Sequence, residues 1–191
     1  MYSGEAALFA SKITENAELR PLEPWQAAEF LAHVDKARAN IEPYIPWAEV
    51  VVDEEKARNF LERYAKRQAA DEGRIYGIWL DGELVGGLLF RTFEAAWGSC
   101  EIGVWLSAEA EGHGLITRAA QQLVDWAIGT RGMTRVEWRC VPANTRSVAV
   151  AQRLGMTLEG TLRQAFPYRG ELHDVQVWSI LSDEWPHRPW A

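Results

Sequence analysis

Apolar and polar residues alternate with a period of two in several short stretches of the chain, which predicts β-strands. One such stretch, residues 101–106, reads Glu-Ile-Gly-Val-Trp-Leu. After a short run of small and acidic residues comes a longer stretch, 115–128, in which apolar side chains recur every three or four positions. That spacing gives a helix one apolar face. The pattern therefore predicts strand, loop and helix in this region, with Gly129 as the helix stop.

Two glycines, Gly112 and Gly114, stand directly before this predicted helix. The first turn of a helix carries backbone N–H groups without a partner inside the helix, and glycine lets the main chain turn tightly beside them. Together they favour an anion site that suits a pyrophosphate. The alternative is that the glycines only make a turn. No Gly-x-x-x-x-Gly-Lys-Ser/Thr loop occurs, and Thr117 stands where a dinucleotide fingerprint needs its third glycine.

The same patterns assign the rest of the chain to one mixed α/β domain over residues 1–191 with an irregular tail at 183–191. The helix near the N-terminus is expected to turn Trp25, Ala28, Phe30, Leu31 and Val34 inward. The predicted elements, in order, are a strand at 17–20, a helix from Trp25, a helix from the N-cap Asp53 to Ala70, strands at 74–80 and 83–90 joined by Asp81-Gly82, the strand and helix described above, a strand at 135–141, a helix from the N-cap Asn144 to the stop Gly155, and strands at 157–163 and 174–181 joined by a turn at 167–170.

Composition narrows the classes of function. The formal net charge of −7 and a pI near 5.2 argue against nucleic acid as the main partner and weakly favour a cationic substrate such as an amine. Cys100 and Cys140 are isolated in apolar strands, which predicts buried, reduced thiols. No residues have metal-ligand spacing, no apolar run is long enough to span a membrane, and no signal peptide is recognisable. A cytoplasmic protein without membrane or nucleic-acid partners is expected.

A segment rich in proline and aromatic residues, 41–47, follows the first predicted helix. Its two prolines disfavour regular helix and stiffen the loop, so Tyr44 and Trp47 should be held in an ordered position. They could cap the hydrophobic core or form a wall of a substrate pocket, and the sequence favours neither.

A second motif lies about thirty residues beyond the glycines. Asn144, Ser147 and the pair Gly155-Met156 have the spacing of a segment found in the GNAT acetyltransferase superfamily, and the strand–Gly-x-Gly–helix stretch resembles that superfamily's acetyl-CoA pyrophosphate motif. Within it the chain most resembles the RimJ/RimL type, the ribosomal-protein N-terminal acetyltransferases. The matching pieces are Pro46-Trp47, residues 81–86, 101–106, 112–117, 158–160 and 162–165, and Asp174.

The resemblance implies a single GNAT-like domain with a central, mostly antiparallel twisted sheet whose central strands splay apart between flanking helices. It also implies an acetyl-CoA-dependent N-acetyltransferase acting on a primary amine, in the first place the N-terminal α-amine of a protein or peptide. Two alternatives stay open: acetylation of a small amine (antibiotic, amino-acid or nucleotide conjugate) and a non-catalytic acyl-CoA-binding module. Members of that family are commonly dimers, so a homodimer is a further expectation.

The resemblance also implies how acetyl-CoA binds. Its pantetheine arm would lie between the strands at 101–106 and 135–141, where Trp105 and Leu106 offer backbone groups. Asn144 would contact the pantetheine or cap its helix. The family often has Gln or Arg at the position of Glu109. The pyrophosphate would be held by main-chain N–H groups of Gly112, His113, Gly114, Leu115, Ile116 and Thr117.

For catalysis, Ser147 stands where RimL-type enzymes place a hydroxyl beside the CoA sulfur, so it is the candidate acid. Glu101 is the candidate base, with a structural role as the alternative. Ala151 and Phe166 replace a tyrosine and a glutamate that relatives can carry. His173 is a remote candidate for binding the acceptor. The candidate substrate-binding residues are Tyr44, Trp47 and Phe166, with Trp97 as a further aromatic suited to stacking.

Overall fold

The computed structural model describes residues 10–185. The strands are β1 (Ser11–Lys12), β2 (Ala17–Pro21), β3 (Ile75–Leu80), β4 (Glu83–Glu94), β5 (Ser99–Leu106), β6 (Arg135–Cys140), β7 (Thr157–Tyr168) and β8 (Glu171–Leu181). The helices are α1 (Ala27–Ile41), α2 (Trp47–Val50), α3 (Glu54–Ala69), α4 (Leu115–Asp125) and α5 (Thr145–Arg153). None of the described helices is both long and apolar enough to cross a lipid bilayer.

The strands form one sheet in the order β1-β2-β3-β4-β5-β6-β8-β7. Every neighbouring pair is antiparallel except β5 and β6, which run parallel at the centre of the sheet. The predicted fold class, a mixed and mostly antiparallel sheet flanked by helices, is confirmed. The short strand β1 and the short helix α2 were not predicted, and Trp47 begins α2 although two prolines, Pro43 and Pro46, precede it.

Helices cover both faces of the sheet, and each face has its own core. Neighbouring strand residues point to opposite faces. Ile78 and Leu88 therefore pack with α4 and α5, whereas Trp79 and Leu89 pack with α1, α2 and α3. The same alternation puts Trp138 of β6 on the α4/α5 face and Trp105 of β5 on the α1/α3 face.

The inward face predicted for the first helix is wrong at its beginning. Trp25 is 74% exposed, and Ala28 is also exposed. Trp25 lies in a 3-10 turn, Pro24–Gln26, that precedes the α-helical residues. Because that turn has a different period from α1, Trp25 falls out of phase with Phe30 and Val34, which are fully buried.

The predicted helix stop at Gly129 is also wrong. After α4 the chain continues through a π-helical turn, Trp126–Thr130, and the glycine with a left-handed backbone is Gly132, at φ 68°. Trp126 packs against Phe90 and Phe93 with ring centroids 5.7 and 5.6 Å apart. This packing holds the extra turn against the sheet, and the helical backbone ends only beyond it.

The last two strands are longer than predicted, and the turn between them lies later. It consists of Arg169 and Gly170, with φ of 52° and 79°, a geometry typical of two-residue hairpins. Pro167 lies inside β7. β7 is an edge strand, where the missing proline N–H costs no ladder hydrogen bond.

Of the tail predicted to be irregular, residues 183–185 are described, and they form turns. Trp185 is 8% exposed, and its indole Nε1 donates to Asp125 Oδ1 at 2.6 Å, so the chain is docked up to this residue. Residues 186–191 lie outside the described part of the chain. Cys100 and Cys140 are buried free thiols, as predicted.

Candidate active site

A cavity of about 1490 Å³ opens where β5 and β6 separate. The two strands are paired only as far as Ile102 and Trp138, although β5 continues to Leu106 and β6 to Cys140. Residues 103–106 therefore have no pairing partner on β6 and keep their ladder with β4 on the other side. The gap leaves main-chain groups in the middle of the sheet that can bind an extended ligand.

The cavity has one half on the α4/α5 face, here called the glycine half, lined by Gly112, Gly114 and the first turns of α4 and α5. Gly112 and Gly114 have φ of 82° and 70°, a conformation that side-chain-bearing residues rarely adopt. Arg118 N donates to Gly114 O at 3.1 Å, so the helical hydrogen bonds of α4 begin there. The three preceding amides have no carbonyl within the helix. Those amides belong to Leu115, Ile116 and Thr117, all lining residues.

Ser147 lies in the first turn of α5, at the border of the gap. Its backbone N–H donates to the N-cap side chain Asn144 Oδ1 at 3.2 Å, which confirms the predicted cap. Its hydroxyl oxygen accepts a 2.9 Å hydrogen bond from Trp138 Nε1. Because the indole can only donate, the Ser147 hydroxyl proton is left for another acceptor.

The Ser147 side chain influences the thiol of Cys140 at the end of β6. Burial raises the pKa of the Cys140 thiol, and a hydrogen bond from the Ser147 side chain lowers it by a smaller amount. Cys140 is 8% exposed and lines the cavity. With its thiol form favoured, Cys140 is unsuited to act as a nucleophile.

A polar bridge crosses the end of the gap. Asn40, at the end of α1, donates through Nδ2 to Leu106 O and to Glu111 Oε1, both at 2.9 Å. Arg146 of α5 donates to Asn40 Oδ1 at 2.6 Å and also pairs with Glu111. The bridge therefore links α1, the end of β5 and α5, and it contacts the carbonyl of Leu106, a residue whose backbone was predicted to contact the pantetheine.

The other half of the cavity, here called the aromatic half, lies on the α1/α3 face and contains all three predicted substrate-binding aromatics. Trp47 packs on Phe60 at 5.0 Å and edge-on against Trp105 at 5.5 Å. It therefore belongs both to the core and to the cavity wall. Tyr44 donates to Ala143 O across the mouth of the cavity at 3.4 Å.

The β7–β8 hairpin closes the aromatic half from the far side. Phe166 lines the cavity and stacks on Tyr168 with ring centroids 5.3 Å apart. The Tyr168 hydroxyl donates to Glu42 O at 2.5 Å, and Arg169 pairs with Glu42 at 2.9 Å and with Glu49 at 2.6 Å. These contacts hold the hairpin against α2 and the segment before it, and Phe166 lines the same cavity as Tyr44 and Trp47.

Glu101 lies on the floor of the aromatic half, and its side chain is 10% exposed. Burial raises the pKa of this carboxyl, Arg91 and Arg139 lower it, and Glu137 raises it. The Arg91 guanidinium is 3.4 Å from Glu101 Oε1, but that oxygen makes no hydrogen bond within the described residues. Glu101 thus combines a raised pKa with a buried oxygen lacking a hydrogen-bond donor, as expected of a proton acceptor.

Four residues that sequence analysis considered do not line the cavity. His113 is exposed beside the glycines, and Trp97 is 83% exposed in the turn between β4 and β5. Ala151 is fully buried in the core under α5. His173 lies 6.1 Å from the Phe166 ring, outside the cavity lining. Trp97 is thereby removed from the set of candidate stacking residues.

Sequence analysis missed the arginines of the site. Arg118, Arg146 and Arg153 line the glycine half, where they can replace the positive charge absent at Glu109. The sequence did contain a signal for them, because all three arginines belong to the two helices that the motifs had already placed at the site. The described residues contain no group of His, Cys, Asp and Glu arranged to hold a metal ion.

Residues 16–157 match the acetyltransferase (GNAT) domain family. The chain belongs to this family. It is a GNAT acetyltransferase, and enzymes of this family use acetyl-CoA. The resemblance drawn from the two motifs is thereby confirmed.

Curated relatives match along almost the whole chain. YdaF of Bacillus subtilis (strain 168) is 29% identical over 179 residues, which are 93% of this chain and 98% of that protein. The ribosomal-protein-serine acetyltransferase of Escherichia coli (strain K12) is 26% identical over 172 residues, 90% of this chain and 96% of that protein.

Solved structures of the RimJ/RimL type share the fold. A RimL ribosomal L7/L12 α-N-protein acetyltransferase with bound coenzyme A superposes with a TM-score of 0.85 at 25% identity, over 90% of this chain and 97% of that one. RimJ of Mycobacterium smegmatis with CoA-disulfide gives a TM-score of 0.82 at 25% identity, over 90% of this chain and 84% of that one. The extent of the domain, the cytoplasmic location and the homodimer stay predictions.

Proposed function

We propose that this GNAT enzyme transfers the acetyl group of acetyl-CoA to the N-terminal α-amine of a protein or peptide. One observation carries the proposal: the separation of β5 from β6 joins an anion-binding glycine half to an enclosed aromatic half, with Ser147 at the border. The similarity to the ribosomal-protein-serine acetyltransferase and to the L7/L12 α-N-protein acetyltransferase supports an N-terminal acceptor.

The glycine half fits the cofactor. Its amides at the start of α4 are free of helical carbonyls, and no atom lies within 4 Å of a Cβ built on Gly112 or Gly114, so the main chain is open to a pyrophosphate. We assign the phosphate contacts to residues 112–117 and the pantetheine contacts to the backbone of Trp105 and Leu106 and to Asn144. When bound, acetyl-CoA supplies an activated thioester carbonyl and a thiolate leaving group.

Ser147 holds the proton that the leaving group needs. Trp138 Nε1 donates to the Ser147 oxygen, which orients the hydroxyl proton toward the gap and stabilises the oxygen as it gives up that proton. Trp138 is 1% exposed, so this orientation is fixed by the core. In this proposal Ser147 is the catalytic acid and Trp138 is a positioning residue.

Glu101 receives the proton that the acceptor amine loses. Its raised pKa makes the ionised carboxylate a better base than an exposed glutamate, and the residue lines the aromatic half. An α-amine has an ordinary pKa of roughly 7.7–8.0, so the transfer needs only modest assistance near neutral pH. The position of Glu101 on the α1/α3 face and of Ser147 on the α4/α5 face puts base and acid on opposite sides of the gap.

A second candidate function is acetylation of a small aromatic amine, favoured by the enclosure between Tyr44, Trp47 and Phe166. The test measures thiol release from acetyl-CoA with peptides that begin with Ser, Ala or Thr and, separately, with small aromatic amines. Turnover of the peptides is expected. Turnover confined to the small amines would replace the proposal by the second candidate, and acetyl-CoA binding without any turnover would indicate a non-catalytic binding module.

A further inference from the structure

The aromatic half of the cavity is positively charged, in contrast to the whole chain with its formal net charge of −7. Four arginines line this half and Glu101 is the one carboxylate among its lining residues. Electrostatic complementarity inside an enclosed site selects ligands of opposite charge. The arginines are Arg63 and Arg67 of α3, Arg91 of β4 and Arg139 of β6.

Of these four arginines, Arg63 makes the fewest polar contacts with other residues of the protein. Its guanidinium lies over the rings of Phe60 and Tyr64, 5.0 and 5.8 Å from their centroids. It forms no ion pair or hydrogen bond within residues 10–185. The two rings hold the side chain in place without neutralising it, so Arg63 keeps all its donors for a ligand.

Arg67 and Arg139 have structural partners. Arg67 donates to Glu72 O at 2.8 Å and to Arg91 O at 2.7 Å, which ties the end of α3 to β4. Arg139 pairs with Glu137 at 2.8 Å. They contribute charge to the aromatic half, but their donors are already directed to other groups.

Arg91 links the cationic group to the proposed base. Its NH1 is 3.4 Å from Glu101 Oε1, and its side chain is 58% exposed. The buried Tyr64 lies among the same charges, since Arg67, Arg63 and Arg91 lower the pKa of its hydroxyl and Glu101 raises it, against the larger rise caused by burial. Arg63 and Arg91 therefore both line the cavity and both act on the Tyr64 hydroxyl, and Arg91 lies beside Glu101.

We propose that the acceptor carries an acidic group close to its reacting amine, and that Arg63 and Arg91 bind this group while Glu101 receives the amine. This inference rests on the proposed function and specifies its substrate class as N-termini with Asp or Glu at the second or third residue. A basic residue there would meet the same two guanidinium groups and be repelled.

The test compares three peptides that differ only at the second residue, Ser-Glu, Ser-Gln and Ser-Lys at the N-terminus, by kcat/KM for thiol release. We expect the Glu peptide to exceed the Gln peptide by about tenfold and the Lys peptide by more, as for a charge-assisted hydrogen bond. In R63Q the preference should fall to within about twofold, and in R63E it should invert in favour of the Lys peptide.

Lys66→Gln is the matched control, since Lys66 is exposed on the same helix, outside the cavity, and its loss changes the net charge equally. It should leave the preference unchanged. Equal rates on the three peptides, or an unchanged preference in R63Q, would overturn the inference and leave the proposed function in place. If none of these peptides nor any other peptide N-terminus is acetylated, the proposed function fails, and the inference fails with it.

A competition experiment distinguishes the source of the anion. The competitor is a small amine that bears a carboxylate or a phosphate. Inhibition weaker than that by the Glu peptide supports a peptide acceptor, and acetylation of the small amine alone contradicts it.

Discussion

The two halves of the cavity are built from different parts of the polypeptide. The glycine half uses main-chain groups: the amides before Arg118, the side of residues 103–106 that has no partner on β6, and the capped start of α5. The aromatic half uses side chains brought together from α3, the segment after α1, the sheet floor and the β7–β8 hairpin. A main-chain site needs only a few glycines and caps, whereas a side-chain site can change with each substitution. We infer that the glycine half fixes the cofactor and that the aromatic half determines the acceptor.

The largest expected effect lies at the border between the halves. Ser147→Ala removes the proposed acid and should lower kcat by about 100-fold or more, within the usual range for general acid catalysis. The dissociation constant for acetyl-CoA should change much less, because that binding is assigned mainly to backbone. Ser147→Thr retains the hydroxyl and is the control. An unchanged kcat in the alanine variant would remove Ser147 from the mechanism.

The next largest effect concerns folding stability and the buried residue His33, which lies in the core below the aromatic half. His33 is buried, and its Nε2 accepts from Trp105 Nε1 at 3.1 Å. Burial lowers the pKa of His33 to about 4 from 6.5. The unfolded chain therefore binds this proton below pH 6.5 and the folded chain only below about pH 4, so stability falls as the pH drops through that window. The loss approaches roughly 3 kcal/mol.

Urea unfolding between pH 4 and 7 measures this loss. The His33→Gln variant removes the titrating group, so the difference in unfolding free energy between wild type and variant should shrink as the pH falls. Parallel curves for the two proteins would show that His33 is not the group responsible.

A matched pair of glycine substitutions separates backbone strain from ligand contact. Gly112 and Gly82 have φ of 82° and 86°, and neither has an atom within 4 Å of an added Cβ. Alanine at either position should cost roughly 1–2 kcal/mol of folding stability through left-handed strain. Only Gly112→Ala should weaken acetyl-CoA binding, by about tenfold in isothermal titration. Equal affinities in the two variants would contradict the assigned pyrophosphate site.

The smallest effect tests the positioning role of Trp138. Trp138→Phe removes the hydrogen bond to Ser147, worth about 1 kcal/mol, and should lower kcat about fivefold without changing KM for acetyl-CoA. Trp178→Phe is the control, because Trp178 pairs with Trp138 across β6 and β8, is also buried, and donates to Gln176 instead. Equal kcat values in the two variants would indicate that Trp138 acts only through packing.

This contrast also explains what the sequence could predict. The glycine half depends on local signals: Gly112 and Gly114 before an apolar helix, and Asn144 three residues before Ser147. These are read directly from spacing, and the mostly antiparallel sheet with splayed central strands followed from the family resemblance. The caps at Asp53 and Asn144 were predicted for the same reason, since a cap involves residues only three positions apart.

The features of the site and the fold that were not predicted depend on contacts between distant parts of the chain. Nothing local to Trp138 indicates that its indole meets Ser147, and nothing local to Arg63 indicates that it lines the cavity. The turn at Arg169-Gly170 was placed too early because Pro167 is a strong turn signal that an edge strand overrides. Trp25 was misplaced because a 3-10 turn shifts the helical phase at the start of α1.

Hydrogen–deuterium exchange with and without coenzyme A tests most directly whether the gap between β5 and β6 joins the two halves. We expect slower exchange at the amides of residues 115–117 and at those residues of 103–106 that face the gap, with little change in the β7–β8 turn at Arg169-Gly170. Protection confined to other segments, or its absence from both of the named ones, would contradict the assignment of the glycine half as the cofactor site.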